Sequence, residues 1–407
     1  MGLGRHGFDH PKNQASLAVG FLLLSVVLGL VLRGFTLFPV SFTYKYLVHT
    51  HSHIALLGWA YLGLTTVLYA LYQPTESGVR KYRILFWFTQ TTLLGMLLTF
   101  PWHGYALGSI LFSTLFLFAS YGFFWFFLRY LKPGKTHAQS HRTFKAALGY
   151  MVLSSAGPWA LGAIMGTLGP TSNWYRMAIY FYLHFQYNAW MLLALLGVLL
   201  YFLEEQGWPL PKRIYRVALG LIHAGIFLSL LLSALWTDPP RVLNVLGGVG
   251  ALASLVGLGV LGYWVWEKRR QLFEPSVQKF VAAAIAGALG FKLLLQTLTA
   301  LPYFATLAAT HLDFTIGYLH WTFLGVISPG IGMAMGYQSL LKFRKPAIWL
   351  YGVGFLGSEA LIFYRGAAAW LRLPVPEGHP YALWGTSALM ALALLLVLVH
   401  PPKTTRP

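Results

Sequence analysis

The pattern that most constrains this chain is a succession of apolar runs, each long enough to cross about 30 Å of hydrocarbon. They fall at roughly 15–38, 43–72, 82–101, 105–130, 143–168, 174–203, 214–236, 243–266, 278–305, 309–341, 347–371 and 382–400. A helix satisfies all of its own backbone hydrogen bonds, as a segment surrounded by lipid must. The runs therefore predict an all-α membrane protein, a twelve-helix transmembrane bundle. Only 10% of the residues are charged and 57% are hydrophobic, which excludes an ordinary soluble domain, about a quarter charged.

The formal net charge is +19, and its distribution follows membrane topology. With the N-terminus inside, 22 of the 29 Lys and Arg fall in inner segments, which predicts an N-in/C-in arrangement. No basic, aromatic-interleaved soluble module is present, so nucleic acid is excluded as a partner and membrane lipid is expected. The polar start Met1 to Gln14 runs straight into an apolar span and reads as an anchor, not a cleavable signal peptide. Short loops and the lack of a linker predict one polytopic domain over 1–407. There is no cysteine, which rules out disulfides, thiolate-ligated heme and iron–sulfur clusters, and leaves imidazole as the strong ligand.

The histidines repeat. Ser52-His53-Ile54-Ala55-Leu56-Leu57-Gly58, Leu183-His184-Phe185-Gln186-Tyr187-Asn188-Ala189 and Leu319-His320-Trp321-Thr322-Phe323-Leu324-Gly325 each place a small residue five after the histidine, and the histidines are 131 and 136 residues apart. They sit in the second, sixth and tenth runs, so copies are four helices apart and run in the same direction. This internal repeat predicts a pseudo-threefold arrangement of four-helix units that brings one histidine from each to a shared interior.

By depth, His49, His51, His53, His103 and His311 form an outer layer, and His184, His223 and His320 a deeper one. His49 and His53 are i and i+4 and share a helix face, whereas His51 points away from both. A lone intramembrane histidine serves either as a ligand or as a hydrogen-bonding link between helices; for His53, His184 and His320 the repeated context favors the ligand reading. His6, His10, His137, His141, His379 and His400 lie in polar segments or loops and are expected at the solvated surface. Lys292 and Glu359 are charges placed mid-helix, and each requires a partner, neutrality or water. They are read as a buried ion pair or as parts of a proton path.

On these residues the chain resembles the heme–copper oxidase subunit I superfamily, in which twelve helices form three arcs of four and histidines on the second, sixth, seventh and tenth helices hold metals. The resemblance implies a heme b ligated by His49 or His53, with His320 as a further heme-binding residue, and copper or nonheme iron at His184. His223, His51, His103 and His311 complete the metal-ligating candidates. The motifs depart from the family in three places. Four residues after His184, where the family has a tyrosine, stands Asn188, with Tyr187 one place early. The seventh helix reads Ile222-His223-Ala224 instead of two adjacent histidines, and on the tenth His311 precedes His320 by nine residues instead of two. Nine residues advance about 13.5 Å along a helix, so at least one center is missing or displaced. His51-Ser52-His53 is also similar to the NnrS branch, heme- and copper-containing twelve-helix proteins linked to nitric-oxide stress. The resemblance implies electron transfer or handling of nitric oxide or oxygen, with an electron-donor protein or quinol as partner, in a bacterial inner membrane. It disfavors a complete proton-pumping oxidase. The rival reading is a proton-coupled transporter of copper or another metal ion, in which the histidines are transient sites along a path.

Overall fold

The computed structural model describes residues 10–72, 74–134, 136–272 and 276–399; His6 and His400 lie outside them. Every regular element among the described residues is helical. In chain order the first nine helices are α1 (Pro11–Gly34), α2 (Tyr44–Tyr72), α3 (Glu76–His103), α4 (Leu107–Tyr130), α5 (Ala138–Thr167), α6 (Asn173–Glu205), α7 (Lys212–Thr237), α8 (Arg241–Leu272) and α9 (Ser276–Leu298). A short α10 (Pro302–Thr310) precedes α11, whose consecutive stretches are Leu312–His320, Trp321–Ile327 and Ser328–Tyr337. The last two are α12 (Lys345–Leu371) and α13 (His379–Val399).

Eleven of these helices, all except α10 and α11, are long and apolar enough to cross a membrane. The chain is an all-α integral membrane protein. The tenth predicted run, 309–341, becomes part of α10 and all of α11. Asp313, His320 and the Ser328-Pro329-Gly330 step make it the most polar of the runs.

Two helices deviate from regular α geometry near proline. In α5 the α ladder stops at Ser154 and resumes at Ala156, because Pro158 has no N–H to offer the Ser154 carbonyl. In α11 a π-helical stretch, Trp321–Ile327, immediately precedes Ser328-Pro329.

The chain divides into two compact units. One comprises the described residues of Met1–Lys132, Ile331–Tyr364 and Pro374–Pro407. In it α1 packs along α2 and α13, and α3 packs against α2 and α4. The other comprises the described residues of Pro133–Gly330 and Arg365–Leu373. Here α5 lies against α6, α7 against α8, and α8 and the π stretch of α11 against α9.

The α7/α8 contact is a close one, and glycine permits it. A Cβ on Gly250 would sit 2.5 Å from both the Leu228 Cβ and the Ser229 backbone nitrogen. Gly250→Ala is expected to cost about 2–3 kcal/mol, because backbone cannot yield as a flexible side chain does. On the same helix, a Cβ on Gly259 meets nothing within 4 Å. Gly259→Ala should be neutral or stabilizing by up to about 1 kcal/mol, since alanine favors the helix. Thermal unfolding of the two variants in detergent checks the contrast.

Candidate functional site

The three histidine motifs share a backbone feature that the sequence does not announce. His53 directly precedes a π-helical segment, Ile54–Tyr61; His184 opens another, His184–Met191; and His320 directly precedes a third, Trp321–Ile327. A π-turn closes i→i+5 hydrogen bonds, is rare, and concentrates at functional positions. The small residue five after each histidine is therefore its register partner across the widened turn. At Gly58 an added Cβ would lie 2.9 Å from the Phe21 ring on α1, and Ala189 is wholly buried. Small side chains let neighboring helices close on a turn that has swollen.

In the first unit, α2 presents its histidines on two sides. The His53 ring lies 4.4 Å from the Phe100 ring and 6.0 Å from that of Tyr105, and the His49 ring lies 4.6 Å from Tyr105. His51 points instead toward α1, its Nδ1 donating to the Ser25 carbonyl at 2.9 Å. This is the division of faces that helical phase predicts. All three imidazoles are part-exposed in this unit. His53 Nδ1 donates to the His49 carbonyl at 2.8 Å. A carbonyl only accepts, so the proton is on Nδ1 and the lone pair of the neutral ring is on Nε2. His103 is exposed in the last turn of α3.

Glu359 is 1% exposed on α12 and feels the positive charge of Arg33 on α1, both in this unit. His379, expected at the surface, is buried, with its Nε2 donating to the Leu361 carbonyl at 2.9 Å. It opens α13 and ties it to α12, which a loop assignment from sequence did not anticipate.

The second unit holds His184, His223, His311, His320 and Lys292. His184 Nε2 donates to the Ile226 carbonyl at 2.8 Å, and its Nδ1 accepts from the Asn188 amide at 3.2 Å. That carbonyl is accessible because α-helical bonding in α7 ends at Ser229 and a 3-10 stretch follows, leaving carbonyls of the last α turn without their usual donors. Both ring nitrogens of His184 are thus occupied, and a metal would have to displace one of these bonds. As placed, His184 links helices instead of presenting a ligand.

From Asn188 the network continues into α9. Lys292, 1% exposed, directs Nζ to the Asn188 and Gln296 amide oxygens, and Nζ lies 5.8 Å from the center of the Tyr318 ring. The Tyr318 hydroxyl reaches the Gln296 oxygen at 3.4 Å. The partners the structure gives Lys292 are neutral amides, where the sequence suggested a carboxylate. Asn188, four residues after His184, was legible only as polar company; its role as the bridge between imidazole and amine was not.

His223 places Nδ1 2.9 Å from the Tyr150 hydroxyl. His311 lies between α10 and α11 with Nδ1 3.0 Å from the Thr310 hydroxyl. Asp313, two residues after His311, receives Arg365, whose Nε is 2.9 Å from Oδ1. His320 is part-buried at the head of its π segment. Among the described residues, no group of three His, Asp or Glu side chains is arranged to hold a metal ion. The sequence matches no known family model and no curated protein.

Proposed function

We propose that this chain is a heme-binding membrane protein that carries electrons or handles a small diatomic gas such as nitric oxide or oxygen, and that His53 is the residue that would hold the heme. The observation that carries the reading is the His53 tautomer. A ligating imidazole needs one nitrogen held by a backbone carbonyl or carboxylate and the other presenting a lone pair, and the His49 carbonyl imposes that arrangement on His53. The ring is also part-exposed and flanked by Phe100 and Tyr105, an aromatic surface suited to a flat macrocycle.

Bound there, a heme b supplies reversible one-electron chemistry and a site for diatomic ligands. The chain's own residues orient the imidazole through the His49 carbonyl and pack its ring against Phe100. His49, edge-on to Tyr105, borders the same face. Copper fits less well: the proposed copper ligand His184 has both nitrogens engaged, so no step is assigned to it. An electron-donor protein or quinol as source, and the bacterial inner membrane as setting, belong to the same proposal.

The test is visible absorption of the protein purified in detergent with heme supplied during expression. A Soret band with sharp α and β bands on reduction is the expected result. A colorless protein that retains copper or zinc would defeat this reading and favor metal transport.

A further inference from the structure

Beyond the histidines, the second unit contains a small, partly open cavity of about 20 Å³, room for one water-sized occupant. Its polar lining comes from Lys292, Asn188, Gln296, Ser229 and Ser254, and the rest of the lining is aliphatic. Ser229 is 2% exposed, and its hydroxyl has no hydrogen-bond partner among the described residues. A buried hydroxyl left unpaired is costly and calls for an occupant.

We infer that this cavity is a binding site for one small inorganic anion of halide size. Three lines converge on that chemistry. Lys292 donates to two amide oxygens, and an ammonium carries three donors, so one remains. The Ser229 hydroxyl, which also lines the cavity, supplies a second donor. No carboxylate lines the cavity, so a lysine charge there has only dipoles against it, and isolated buried charge is strongly disfavored without a counterion. A halide accepts from both donors, neutralizes the ammonium and fits the volume. Through Asn188, the site is one residue removed from His184.

The experiment compares full-length protein, purified without halide, in sodium chloride and in sodium gluconate at equal ionic strength. Gluconate is too large for the cavity. Wild type should bind labeled chloride in a scintillation proximity assay, and its unfolding temperature should rise by about 2 °C at ten times the dissociation constant. Lys292→Met should lose both responses, and Ser229→Val should weaken chloride binding about tenfold or more. Each response is read within one variant, so a change in baseline stability does not obscure it. Should Lys292→Met fail to fold, Ser229→Val alone decides. Equal behavior in chloride and gluconate, with no labeled chloride bound, overturns the proposal: Lys292 is then an uncharged amine whose two hydrogens serve the two amides, and the cavity holds only water. Chloride binding unchanged in the variants overturns it as well.

Discussion

Replacing His53 with alanine should lower the heme content of the purified protein by about tenfold or more, while His51→Ala leaves it intact. The two residues are only two positions apart in a single cluster and face opposite sides of α2, so the contrast separates ligation from general damage to α2. His51 faces α1, with Nδ1 on the Ser25 carbonyl, and losing that bond should cost about 1 kcal/mol of stability without touching the spectrum. His49→Ala should retain the heme with a shifted spectrum, because the carbonyl that orients His53 belongs to the backbone and survives the substitution. Pyridine hemochrome assay on each variant, normalized to folded protein, gives the numbers. Full heme content in His53→Ala, His49→Ala and the double variant would reject heme ligation on this face.

A second large effect is expected at Asn188. Asn188→Leu removes the amide that donates to His184 and accepts from Lys292, leaving two buried polar groups each short of a partner. Removing one partner from a buried charged group costs about 3–5 kcal/mol, far more than a neutral hydrogen bond at the surface. Lys292→Met alone should be milder, since it removes the group that needs solvation. In the double variant the losses should be less than additive by about 2 kcal/mol. Chemical denaturation of the four proteins in one detergent measures the cycle, and strict additivity would show that the two side chains do not act on each other.

The helices were legible because lipid imposes one simple demand, a long apolar run, and eleven of the twelve runs meet it in the structure. The exception carries Asp313, His320 and Pro329, each of which lowers the apolar signal without preventing a helix. Helical phase was equally readable: His49 and His53 on one face and His51 on the other follow from 100° per residue. Hydrogen-bond partners were not. His184 and His53 occupy equivalent motif positions, yet the first has both nitrogens bonded by neighbors from α7 and its own helix and the second only one by its own backbone. The difference arises from where α7 changes to 3-10 geometry, which has no local sequence mark. The charge of Lys292 was likewise plain in the sequence, whereas the amide oxygens of Asn188 and Gln296 that receive it were not marked there.

The three π-turns carry a consequence for how this chain tolerates insertions and deletions. Each behaves as one residue added to an α-helix, and that residue turns everything after it by about 100° about the helix axis. In α2 the histidines and the segment Leu62–Tyr72 can therefore answer to different neighbors, as though two short helices had been spliced out of phase. Deleting one residue from Ile54–Tyr61 would repair the α ladder locally and rotate the face bearing Thr65 and Thr66 away from its packing partners. A deletion that improves the helix would thus damage the protein. Descendants of a common ancestor should keep the spacing within these segments fixed even where the letters drift, and length, more than identity, becomes the inherited trait.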